Sequence, residues 1–117
     1  MSEGILMRIF LNESSRAPSG RPLYEQIVLL AHNEGIAGAT VFRGIMGFGT
    51  DKRVHSTKLV RLSDDLPVVV EIVDEREKIE GFLAVIDPLI REGLVTLEVA
   101  NVMIYRGGDS ASVKEDS

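Results

Sequence analysis

Cysteine is absent from all 117 residues. Its absence excludes disulfides, thiolate-ligated zinc, iron–sulfur clusters and thiol nucleophiles. Tryptophan is absent too, and four Phe and two Tyr are too few and too scattered to make a base-stacking platform for nucleic acid. No apolar run approaches the roughly 18 residues that a membrane span requires. The segment from Met1 to Met7 is too short and too polar for a secretory leader. Positive charge is also scarce: 13 Lys and Arg against 18 Asp and Glu leave a formal charge of −5, the wrong sign for a protein that neutralises nucleic-acid phosphates. These absences predict a cytoplasmic protein with no nucleic-acid partner. With 44% apolar and 26% charged residues the composition is that of a folded domain, and the length suits one core rather than two.

Between these absences lies a regular order of elements. Ile5, Met7, Ile9 and Leu11 alternate with Leu6, Arg8 and Phe10, which predicts a first strand over Ile5 to Asn12. A polar connection from Ser14 to Gly20 leads to Pro22, in the first turn of a helix striped by Leu23, Ile27, Leu30 and Ala31 and stopped by a left-handed Gly35. Ala39 to Ile45 reads as a second strand, and the β-branched run Leu66 to Val73 as a central one. Asp74 with Glu77 three residues on predicts a capping box for a second helix striped by Ile79, Phe82, Leu83, Ile86 and Ile90. Pro88 should kink or end that helix. A last strand runs from Leu94 to Val99 and on from Asn101 to Tyr105, and residues 107–117 have the composition of a mobile tail.

The order is βαββαβ, an α+β, ferredoxin-like arrangement: a four-stranded antiparallel sheet with two helices on one face, in a single domain whose ordered core spans about 4–106. Strands one, three and four are apolar on both sides, and no element remains to cover the second face, so a homo-oligomer with sheets facing inward is expected. Glu71, a carboxylate inside an apolar strand, should pair with Arg8 across the sheet or with a cation at a subunit boundary.

One segment concentrates chemistry. From Arg43 to Arg61 five basic residues (Arg43, Lys52, Arg53, Lys58, Arg61) face one acid, Asp51, giving +4 on a body of −9. It opens with Arg43-Gly44-Ile45-Met46-Gly47-Phe48-Gly49 and continues through Lys52, Arg53 and His55. Glycines let backbone N–H groups approach an anion, and the cations can hold one, so Arg43, Gly44, Gly47, Phe48, Gly49, Lys52, Arg53 and His55 form the candidate ligand-binding set. Three other readings stand beside this one. The glycines could only shape a strand end while the cations face solvent. A small enzyme could use His55 as general base with Arg43 and Lys52 on an anionic substrate. A ligand-free structural trimer would need none of them. The segment is neither a Walker loop nor a dinucleotide fingerprint. His32 and His55 stand too far apart in sequence for a metal motif, and His32 suits the helix C-terminus. The pair Asp64-Asp65 reads as a solvated turn before Leu66-Pro67.

Ser19-Gly20-Arg21-Pro22-Leu23-Tyr24-Glu25 and Gly38 through Gly49 strongly resemble a bacterial and archaeal family, the UPF0166-type domain of unknown function 190. Asp64-Asp65-Leu66-Pro67-Val68, Glu71-Ile72-Val73-Asp74 and Gly93-Leu94-Val95-Thr96 continue the match, which covers roughly residues 4 to 106. The resemblance implies membership of the PII-like signalling superfamily. Its proteins are trimers that bind adenine nucleotides in clefts between subunits and act on transporters or enzymes through a long loop after the second strand. By the same resemblance Gly47-Phe48-Gly49 lies at the base of that loop, Lys52 to Arg61 forms its tip, and a membrane channel or transporter is a partner. The chain departs from the PII pattern in two places. Arg91-Glu92-Gly93 carries no lysine where PII proteins have a glycine-rich, lysine-bearing loop. Met103 and Tyr105 stand where PII proteins place two arginines, with Arg106 one position later. Most of a triphosphate clamp is therefore missing, and no residue matches the loop tyrosine that is modified in PII proteins.

Overall fold

The alternation in the first dozen residues becomes β1 (Glu3–Asn12), with Ile5, Met7, Ile9 and Leu11 all buried. The computed structural model describes residues 3–57 and 65–107. Lys58, Arg61 and Asp64 of the sequence analysis, and all but the first residue of the expected tail, lie outside them. After β1 come α1 (Leu23–Asn33), β2 (Gly38–Arg43), a two-residue hairpin of β3 (Met46–Gly47) and β4 (His55–Ser56), then β5 (Pro67–Asp74), α2 (Arg76–Ile86) and β6 (Leu94–Asn101). The main sheet has the order β2-β5-β1-β6 and is antiparallel throughout. This is the ferredoxin-like order, with the β3–β4 hairpin inserted between the second and third of its strands.

The core follows from the two periods. Strand residues two apart on β1 and β5 (Val68, Val70, Ile72) bury one sheet face against Leu23, Ile27 and Ala31 of α1 and Ile79, Phe82 and Ile86 of α2. The helix ends are set locally. At the end of α1, Ile36 N–H donates to the Ala31 carbonyl (3.0 Å) and Gly35 N–H to that of His32 (3.2 Å). With Gly35 at φ +75° this is a complete Schellman stop, as its glycine predicted. Pro88 likewise ends α2: the helix stops at Ile86 and Asp87–Leu89 form a 3₁₀ turn.

Four local expectations need correction. Pro22 is the N-cap of α1, one place before its first turn. The capping box at α2 is not formed; Glu75 is the N-cap and makes no side-chain cap. The buried Asp74 instead accepts from the N–H groups of Glu75 (2.7 Å) and Ala37 (2.9 Å), tying the entry of β2 to the start of α2. The second strand does not reach Ile45. It ends at Arg43, because Gly44 turns against Pro67, donating to its carbonyl at 2.7 Å, and the chain then leaves the sheet for the hairpin. The last strand stops at Asn101, which pairs with Glu3 at the end of β1. Beyond it Tyr105 Oη donates to the Ala37 carbonyl at 3.3 Å.

The second sheet face carries Leu6, Phe10, Val69 and Val73, half-buried and without a covering layer among the described residues. In their midst Arg8 Nε donates to Glu71 Oε2 at 2.9 Å, and the same guanidinium contacts Glu98. Of the two partners considered for Glu71, Arg8 is the one observed.

Candidate functional site

The candidate segment begins where β2 leaves the sheet. Arg43 donates from Nε (3.2 Å) and Nη2 (3.1 Å) to Glu13 Oε1, which pins its fork to the β1–α1 connection. Gly44 and Gly47 allow close approach to Pro67: a Cβ on either would stand 2.9 Å and 3.3 Å, respectively, from the Pro67 ring. A side chain at Gly44 would force a shift, whereas at Gly47 the Pro67 ring would have to give by only a few tenths of an ångström. Gly47 pairs with His55 across the hairpin, and a turn closes between Gly49 and Lys52, whose N–H donates to the Gly49 carbonyl (2.9 Å). Lys52 sits in the left-handed region at φ +63°. Its Nζ lies 5.9 Å from the centre of the Phe48 ring, within cation–π reach.

Arg53 N–H donates to Asp51 Oδ1 (3.0 Å). That bond holds the Asp51 carboxyl below the ordinary aspartate range against a smaller opposing effect of burial, with His55 and the Arg53 charge adding to the lowering. The sign follows from the direction. A carboxyl lowered in the fold supports this turn above the ordinary aspartate pKa of about 3.9, and that support is lost as pH falls through the lowered value. The Arg53 amide resonance is therefore expected to titrate with a midpoint below 3.9 in an NMR pH series; a midpoint at or above the ordinary value would contradict the hydrogen bond.

His55 is 7% exposed. Its Nε2 lies 3.5 Å from Asp51 Oδ2 and makes no hydrogen bond among the described residues. It is enclosed in the hairpin and does not border the cleft described next, so this placement offers no base facing a substrate there.

The cleft, about 350 Å³, opens where the ends of β1, β5 and β6 meet the Phe48–Lys52 turn. Its walls are Phe10, Leu11, Pro67, Val68 and Leu94, with Phe48 and Gly49 opposite; Asn12, Thr50, Lys52, Glu92 and Gly93 supply the polar and backbone groups. The register explains the convergence: Phe10 lies opposite Leu94, and Asn12 opposite Pro67. Of the candidate residues, Phe48, Gly49 and Lys52 line the cleft. Gly44 and Gly47 pack on its Pro67 wall, while Arg43, Arg53 and His55 stand apart from it. Phe10, Asn12, Glu92 and Leu94 were not candidates in the sequence, since strand pairing brings Phe10, Asn12 and Leu94 together and Glu92 comes with them in the turn before β6. The one local signal was Gly93, at φ +154° with a Cβ position only 2.8 Å from the Phe10 carbonyl oxygen.

Such a space is at the small end of ligand sites, mostly apolar with a few convergent polar groups. Among the described residues no group of His, Asp and Glu could hold a metal ion, and no helix is long and apolar enough to cross a membrane.

The family model described as DUF190, Uncharacterized ACR, matches residues 4–102. A UPF0166 protein from Aquifex aeolicus is 45% identical over 98 residues, covering 84% of this chain and 91% of its own length. Another, from Methanocaldococcus jannaschii, is 33% identical over 108 residues, covering 92% and 96%. Among solved structures, CPII, a nitrogen regulatory PII-like protein from Thiomonas intermedia bound to ADP, AMP and bicarbonate, superposes with a TM-score of 0.66 at 18% identity, covering 86% of this chain and 88% of that one. At that identity the likeness shows the fold, which is PII-like.

Proposed function

The chain belongs to the family described as DUF190, Uncharacterized ACR, and from that membership and its PII-like fold we propose that it is a homotrimeric signalling protein without catalytic activity. It binds a small anionic ligand, an adenine nucleotide, in the cleft beneath the Phe48–Lys52 turn. Through the loop 43–61 it acts on a cytoplasmic surface of a protein partner, a membrane transporter or channel.

The cleft carries this reading. It lies at the root of the loop, so an occupant touches both the sheet and the turn that leads into the loop. The Phe48 ring is 62% exposed and offers a stacking face, with the Lys52 ammonium beside it. The solved PII-like protein CPII is bound to ADP and AMP, which makes adenine nucleotides the first ligands to try. Self-association is supported by the second sheet face, where Leu6, Phe10, Val69 and Val73 have no covering layer among the described residues.

Calorimetry against ADP, AMP, ATP and cyclic nucleotides tests the ligand. Binding is expected, and Phe48→Ala should weaken it by about 1–3 kcal/mol, the usual loss of one base–aromatic stack. Silence across the panel would end the ligand reading, and a monomer mass by light scattering at micromolar concentration would end the trimer.

A further inference from the structure

We infer that the cleft selects nucleotides by charge, favouring a nucleoside monophosphate over di- and triphosphates, and that Glu92 sets this preference; the inference rests on the nucleotide reading above. Among the described residues of one protomer, the charges bordering the space are one cation, Lys52, and one anion, Glu92. Asn12 and Thr50 are neutral, and the rest of the lining is apolar or glycine. The other two described cations of the basic segment do not serve it. Arg43 is held by Glu13, and neither Arg43 nor Arg53 borders the cleft.

Two backbone donors of the turn are also spent. The Lys52 N–H is taken by the Gly49 carbonyl, and the Arg53 N–H by the Asp51 carboxylate. The turn that could have formed a phosphate nest has spent these two donors on its own closure.

The balance of charge then decides. One phosphoryl group is matched by Lys52. Each further phosphoryl group adds a negative charge with no second cation among the described lining residues, and Glu92 repels it. In a cleft walled by low-dielectric side chains such repulsion is screened less than in open water. Glu92 sits at the turn before β6 and the Phe48–Lys52 turn belongs to the loop after β2, so two separate parts of the chain set the two signs.

The test is calorimetry with adenosine, AMP, ADP and ATP at low ionic strength in EDTA, so that no cation shields the phosphates. AMP is expected to bind about tenfold or more tighter than ATP, with ADP between. Glu92→Gln, an exposed and near-isosteric change, should narrow the AMP–ATP gap to about a third or less of its value. Lys52→Ala should erase the preference for AMP over adenosine. ATP binding tighter than AMP, or a gap unmoved by Glu92→Gln, overturns the charge selection and leaves the nucleotide reading standing. No binding of any of the four by either protein overturns the nucleotide reading and this inference with it.

Discussion

Phe82→Ala is expected to lower the unfolding free energy by about 3–5 kcal/mol, a large share of what a small domain has. Phe82 is among the largest fully buried side chains, and it sits on the stripe that α2 presents to the sheet with Ile79 and Ile86. Truncation removes the apolar transfer energy of the ring and leaves a cavity. The cavity cannot close easily, because its floor is strand residues held in register on both sides: β1 pairs with both β5 and β6. Urea unfolding should show an earlier midpoint with the slope unchanged, compared at equal protomer concentration in case assembly contributes. Val85→Ala, on the exposed side of the same helix, should fall within about 0.5 kcal/mol of wild type. Similar losses for the two would mean that α2 is not packed through Phe82.

Gly93→Val is the second large effect, and it reaches the cleft. The residue adopts φ +154°, and a Cβ there would meet the Phe10 carbonyl oxygen at 2.8 Å and Leu11 Cδ2 at 3.1 Å. Backbone is the nearer obstacle, so the clash cannot be relieved by a side-chain rotation alone. Backbone strain and overpacking each cost about 1–3 kcal/mol, and a β-branched residue makes both worse. A total of about 3 kcal/mol or more is expected in thermal or urea unfolding. The turn must also shift away from Phe10, which displaces Glu92 and Leu94 from the cleft they line. Nucleotide affinity should therefore fall in whatever fraction remains folded. Gly81→Ala, an exposed helical glycine with nothing within 4 Å of its Cβ position, should instead be neutral or stabilising by up to about 1 kcal/mol. Wild-type stability in Gly93→Val would mean that the close approach of this turn to β1 is absent in solution.

The parts of the fold with a period were legible in the sequence. Ile5 to Leu11 alternates because β1 has a buried and an open face, and Ile79, Phe82 and Ile86 recur at helical spacing because α2 has one apolar stripe. Even the Arg8–Glu71 pair could be anticipated, since a carboxylate in an apolar strand demands a partner. The hairpin of β3 and β4 could not, because two-residue strands are too short to show a period. The end of β2 was misplaced for a related reason: Val41 to Ile45 looks continuous, and the interruption comes from Pro67, far along the chain. The site was legible only in part. Phe48, Gly49 and Lys52 stood out by local composition, but Phe10 and Leu94 join them through strand pairing, and Glu92 with them in the turn before β6, which no local motif encodes. Conversely, Arg43 belonged to the candidate ligand-binding set, while its fork is directed to Glu13, 30 positions away.

The junction at Gly44 has a consequence for how the molecule opens. Among the described residues, sheet and hairpin meet around Pro67, through the Gly44 N–H bond to its carbonyl and the approach of Gly47 to its ring, while the hairpin is closed on itself by the Met46–Ser56 and Gly47–His55 pairs and by Thr57 N–H to the Ile45 carbonyl. A hairpin of two-residue strands is expected to open before the main sheet, at lower cost. Deuterium would therefore enter the hairpin amides early and those of β1 and β5 late, with little in between. A molecule seated in the cleft touches Val68 of the sheet and Phe48 of the turn at once, and so couples the two events. Retarded deuterium uptake at Ser56 and Thr57, which do not line the cleft, would then report occupancy as a change in cooperativity.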